Sequence, residues 1–199
     1  MKLNHYISLV GLLIVTLAQA QHQINIDATL VPELRTITIE QELAYKNDSD
    51  SILHEIYLSD WANSFSSKTT PLAKRFSENY QGSFHFEKNK NRGHSNIVSI
   101  NNNIKKPLVW SRGDEVDIIR VQLDKKLLPG EAYILKMEYH IILPDDKFTR
   151  YGITNSGDFK IRYWYLAPAV FDGGWNIYSN KDLNDSYLNP TNFNIKFHT

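Results

Sequence analysis

The sequence predicts an all-β fold, an antiparallel β-sandwich with one short inserted helix, from three observations. Apolar and polar residues alternate in long runs, proline and glycine turns separate the runs, and one segment breaks the alternation with a four-residue repeat. The cleanest run sets Tyr133, Leu135, Met137, Tyr139, Ile141 and Leu143 against Lys136, Glu138 and His140. That is a long strand with one buried side, entered by the turn Leu128-Pro129-Gly130 and closed by Pro144.

Composition agrees with a globular chain. Of 199 residues, 42% are hydrophobic and 22% charged, and 22 Lys plus Arg balance 22 Asp plus Glu. With no net field to gather a polyanion, nucleic acid is not an expected partner. The chain has no cysteine, which excludes a disulfide framework, a thiolate metal site, a cysteine nucleophile and a cysteine-linked lipid anchor.

The first twenty residues read as a signal peptide. Lys2 supplies a positive end, Ile7 to Leu17 is an apolar run shorter than the roughly 20 residues that span a bilayer, and Ala18-Gln19-Ala20 offers a cleavage point. The expectation is an exported chain, residues 21–199, that is not membrane-bound after cleavage.

Within it, Ile24 to Val31 and Ile37 to Tyr45 flank Pro32-Glu33 as a hairpin. Ile52 to Ser59, Val116 to Leu123, Phe159 to Tyr165 and Phe193 to Phe197 are further strands. The exception to the alternation is Thr70-Pro71, a capping hydroxyl before a proline at the first helical position, followed by Leu72, Phe76 and Tyr80 every four residues. The spacing predicts a helix of two or three turns. Glu87 to Asn103, rich in Asn and Lys, reads as a surface connection between short strands.

Catalytic motifs are incomplete. His54-Glu55-Ile56-Tyr57-Leu58 opens like His-Glu-x-x-His but has leucine where the second ligand belongs, on a strand rather than a helix. His85 and His94 stand in polar sequence with no carboxylate at ligand spacing and read as solvated loop residues. Asp114-Glu115 and Asp145-Asp146 lie beside turn residues, where carboxylates cap backbone groups. Asn47-Asp48-Ser49 and Asn184-Asp185-Ser186 fit the glycosylation sequon. No glycine-flanked nucleophilic serine or glycine-rich phosphate loop is present.

The densest aromatic stretch is Arg162 to Trp175, which holds Tyr163, Trp164, Tyr165, Phe171 and Trp175 around Pro168 and the turn Asp172-Gly173-Gly174. Flat rings with polar edges suit sugars or peptide side chains, and they equally fill a sandwich core.

The order of these features resembles the amino-terminal β-sandwich of the gluzincin metallopeptidases, the aminopeptidase N and leukotriene-hydrolase family, and is most similar to its exported bacterial branch. The resemblance is carried by the hairpin Leu34 to Tyr45, the turn Leu127-Leu128-Pro129-Gly130-Glu131, the loop Phe148-Thr149-Arg150-Tyr151-Gly152, the aromatic strand Tyr163-Trp164-Tyr165 with Pro168, and the strand start Asn189-Pro190-Thr191-Asn192-Phe193-Asn194-Ile195. Thr69 to Phe76 resembles an insertion of that branch.

The resemblance implies a noncatalytic front domain that shapes a peptide-substrate cleft and docks on a downstream catalytic domain, with zinc bound there and no cofactor, metal ligand or catalytic residue in this chain. It also implies a sandwich lacking its last strands, so that the strand from Phe193 leaves an open edge. Family members hold the substrate amino group with a Gln or Glu on the aromatic strand, which Tyr163 to Tyr165 do not supply. Tyr163, Trp164, Tyr165 and Trp175 are the substrate-rim candidates. Two alternatives stay open: a free-standing glycan- or peptide-binding sandwich using Trp164, Tyr165 and Trp175, and a structural or adhesion module.

Overall fold

Period-two alternation becomes two stacked sheets. The computed structural model describes residues 22–181 and 187–199. The signal peptide expected over residues 1–20 and the sequon at Asn184 lie outside the described residues. Strands β1 (His22–Val31), β2 (Thr36–Lys46), β4 (His94–Asn102), β7 (Ala132–Ile142) and β13 (Thr191–His198) form one sheet in the order β13-β1-β2-β7-β4. β3 (Leu53–Ser59), β5 (Trp110–Arg112), β6 (Ile118–Leu127) and β10 (Ala167–Pro168) form the second, in the order β10-β3-β6-β5. The short pairs β8 (Gly152–Ile153) with β9 (Phe159–Lys160), and β11 (Val170–Phe171) with β12 (Trp175–Asn176), lie outside both sheets.

The register follows from the hydrophobic faces. β2 and β7 pair antiparallel so that Ile37 meets Ile141, Ile39 meets Tyr139, Leu43 meets Leu135 and Tyr45 meets Tyr133, all buried. A slip of one residue would turn this whole row to water, so burial fixes the pairing. Ile56, Leu58, Ile119, Val121 and Leu127 close the same core from the other sheet. At the β6–β7 turn, Gly130 takes φ 79°, the value a type II turn needs two residues after Leu128.

The inserted helix α1 (Pro71–Glu78) begins as its cap predicts: the Thr70 hydroxyl accepts from the Ala73 N–H at 3.2 Å. It buries Leu72, Ala73 and Phe76, with the Phe76 ring tilted against that of Phe84, 5.4 Å away on the single turn α2 (Ser83–Phe86). Tyr80, the third member of the expected stripe, is instead 97% exposed. It takes the left-handed position (φ 58°) of a Schellman cap, in which Gln81 N–H donates to the Phe76 carbonyl at 2.7 Å and Tyr80 N–H to the Ser77 carbonyl.

Four expectations are corrected. β13 pairs with β1 in parallel, His22 opposite Thr191 through Thr29 opposite His198, because a long excursion separates the two strands. Within Glu87 to Asn103, residues 94–102 form a full edge strand rather than a connection. A bulge between Ile97 and Ser99 breaks its alternation, and Gly93 is needed because a Cβ there would stand 2.5 Å from Pro144 Cδ. His85 therefore belongs to α2 and His94 to β4, although both are exposed. The expected strand Phe159 to Tyr165 stops at Lys160, since Tyr163 at φ 50° cannot continue an extended chain.

Candidate functional site

A buried polar clamp positions the aromatic segment. The core face of β2 presents Gln41 between Ile39 and Leu43. Its amide donates to the Leu166 carbonyl at 2.7 Å, and its side-chain oxygen accepts from the Leu166 N–H at 3.2 Å and from the Tyr139 hydroxyl. Buried polar groups persist when their partners are met, so this clamp sets where the chain passes after Tyr165. Burial raises the Tyr139 hydroxyl well above its ordinary pKa, which keeps it a donor. Two residues on, Pro168 pairs with Leu58, and Ala169 N–H donates to the Tyr57 carbonyl at 2.9 Å.

The four aromatic candidates fall into two places. The ring of Tyr163 lies 4.3 Å from Trp61, whose residues 61–65 form a 3-10 turn after β3. Tyr163 and Tyr165 line one cleft with Ser59, Trp61, Ala167 and Leu188. Trp164 packs edge-on against Phe197 at 5.6 Å and Tyr165 against Phe193 at 5.3 Å, so both lean on β13. Trp175 lies in another cluster, 5.4 Å from Tyr57, 5.3 Å from Phe171 and 6.0 Å from Tyr45, which itself stacks on His22 at 4.4 Å. The structure thus joins Tyr163 to Tyr165 on one margin and sets Trp175 apart. That margin continues into β13, whose Phe193, Ile195 and Phe197 are 45%, 46% and 37% exposed.

Sequence reasoning assigned nothing to Asp60 and Asp117, and both are buried. Asp60 accepts from Arg112 at 2.6 Å and from the Ser95 hydroxyl. Asp117 accepts from the Ser179 hydroxyl at 2.9 Å and the Asn180 N–H at 2.6 Å, while its carbonyl takes the Asp60 N–H at 2.7 Å. Burial pushes both carboxyls above the usual range, against the pull of these donors. The pair ties residues 179–180 to the start of β6 and to the turn at Trp61. The available signal was Asp117 itself, an acid between Val116 and Ile118 at the entry to an apolar run.

The remaining sequence candidates are dispersed. A bulge between Leu53 and Glu55 takes His54 out of the ladder, and Glu55 pairs with Arg120, whose Nε donates at 2.5 Å. Asp145 binds Arg35 at 2.6 Å and Asp146 binds Lys160 at 2.8 Å, two carboxyls engaged by separate cations. Asn47 is no glycan acceptor in the folded chain, because its buried amide donates to the carbonyls of Ser51 and Leu127. Among the described residues, no three His, Cys, Asp or Glu side chains gather as a metal set. No helix among them is long and apolar enough to cross a membrane.

No protein-family model and no curated protein sequence matches the chain. Among solved structures it is similar to an M1 zinc metallopeptidase variant from Deinococcus radiodurans with bound Tyr-Ser-Ala, at 13% identity and TM-score 0.39, over 63% of this chain and 21% of that one. A two-domain M1 zinc metallopeptidase variant bound to L-arginine aligns at 14% identity and TM-score 0.44, over 88% and 31%. An aminopeptidase N family protein from Idiomarina loihiensis aligns at 12% identity and TM-score 0.29, over 60% and 15%. The chain spans less than a third of the length of each of these three proteins.

Proposed function

We propose that this chain is the noncatalytic amino-terminal domain of an exported zinc metallopeptidase of the aminopeptidase type. In this role it docks on a catalytic domain and forms one wall of a peptide cleft, while zinc and the hydrolytic residues belong to the neighbouring domain. The order of sequence features and the all-β architecture with a helix inserted after β3 support this reading. The observation that carries it is the aromatic margin: Trp164 and Tyr165 lean on the half-exposed row Phe193, Ile195 and Phe197, an apolar strip of the kind that a neighbouring domain covers. Export rests on the signal-like residues 1–20.

Reading the DNA on the 3′ side of codon 199 tests the proposal, with in-frame coding sequence for His-Glu-x-x-His as the expected result. The purified chain supplied with zinc is expected to leave an alanyl-para-nitroanilide reporter intact. Turnover of that reporter, or tightly held stoichiometric zinc, would overturn the assignment.

A further inference from the structure

We propose that the cleft between the Trp61–Phe65 turn and the Arg162-Tyr163 dipeptide binds a carboxylate that carries a flat apolar group. The cleft is a shallow, solvent-open groove lined by Trp61, Phe65, Thr149, Tyr151, Arg162 and Tyr163, with Ala62 and Asn180 completing it. Four of these side chains are aromatic and none is acidic. In a chain whose acids and bases balance, a cleft that among the described residues has one cation and no carboxylate on its lining favours an anion.

Arg162 is that cation. Among the described residues it forms no ion pair, and its guanidinium lies 5.9 Å from the ring centre of Tyr163. An arginine fork matches a carboxylate in two parallel hydrogen bonds. Thr149 adds a hydroxyl: its oxygen accepts from the Tyr151 N–H at 3.2 Å, which leaves its proton available to a ligand. The tilted Trp61–Tyr163 pair offers the flat apolar surface.

Two locally unfavourable features meet here. Tyr163 adopts φ 50°, a left-handed conformation that bulky residues avoid. The Tyr151 hydroxyl is buried without a hydrogen-bond partner, on a residue only 4% exposed. Two buried acids flank the cleft: Asp60, which Arg112 and Ser95 engage, and Asp117, which the Ser179 hydroxyl and the Asn180 N–H engage. They act on its Tyr151 and Asn180 side, so the carboxylate belongs at the Arg162 end and the apolar group against the Trp61 and Tyr163 rings. This proposal stands apart from the peptidase reading, because it uses only groups within this chain.

The test is a titration of the full chain with 3-phenylpropanoate, its uncharged amide and acetate, followed by the indole N–H signals of the tryptophans in nuclear magnetic resonance. The expected result is a saturable shift of the Trp61 signal with 3-phenylpropanoate and an unmoved Trp175. Binding should be about tenfold weaker for the amide and for Arg162→Met, as loss of a charge-assisted contact predicts. Acetate should bind more weakly than 3-phenylpropanoate. An unmoved Trp61 signal would overturn the proposal, as would equal affinity for acid and amide or full affinity in a folded Arg162→Met protein.

Discussion

Replacing Gln41 with leucine tests whether the aromatic segment is held by its polar clamp or by apolar packing alone. The substitution removes the acceptor of the Tyr139 hydroxyl and the donor to the Leu166 carbonyl, while the Leu166 N–H keeps the Tyr139 oxygen at 3.2 Å. Two buried groups lose a partner, at about 1–3 kcal/mol each. The leucine returns about 1.5–3 kcal/mol through its apolar surface, leaving a net loss of about 2 kcal/mol. For a domain of this size that lowers the midpoint of thermal unfolding by about 4–8 °C. Tyr139→Phe should cost about 1 kcal/mol alone and a different amount in the Gln41→Leu background, where the hydroxyl donor is already unmet but its oxygen is the last partner of the Leu166 N–H. Urea unfolding followed by circular dichroism measures all three proteins. Gln41→Leu within about 0.5 kcal/mol of wild type, or strictly additive single effects, would refute the clamp.

Three other perturbations probe the scaffold. Thr70→Ala removes the helix cap and also the hydroxyl bond to the Ser64 carbonyl at 2.7 Å, so it should cost about 2 kcal/mol, the upper end for a cap, in the same urea assay. Gly152→Ala places a Cβ 2.2 Å from the Pro144 carbonyl oxygen at φ 129°, and a loss of more than about 2 kcal/mol or failure to fold is expected on expression and thermal melting. Asp60 and Asp117 titrate above their ordinary range when folded, so the folded state holds more protons than the unfolded one in that window. Stability should therefore fall as pH rises from about 4 through the raised values, and Asp117→Asn should flatten part of that slope in thermal melts between about pH 3.5 and 7.

What was legible in the sequence was whatever is decided within one element. The alternation of Tyr133 to Leu143 and of Ile37 to Tyr45 marks faces that any partner must cover, and Thr70-Pro71 satisfies orphan helix donors without reference to the rest of the fold. The misses depend on partners distant in sequence. β4 is polar where its bulge and edge position allow, the parallel docking of β13 on β1 is set by the path of the intervening chain, and Tyr163 bends because its neighbours are pinned to β2, β3 and β7. Gln41, Asp60 and Asp117 are illegible for the same cause. A polar residue at a core position reads as noise in an alternation pattern, yet burial without a partner is too costly to persist, so each implies a partner elsewhere. For Gln41 that partner is Leu166, on the segment that carries the candidate site. The polar interruption of β2 thus bears more directly on the candidate site than the apolar positions around it, because it determines where the chain passes after Tyr163, Trp164 and Tyr165.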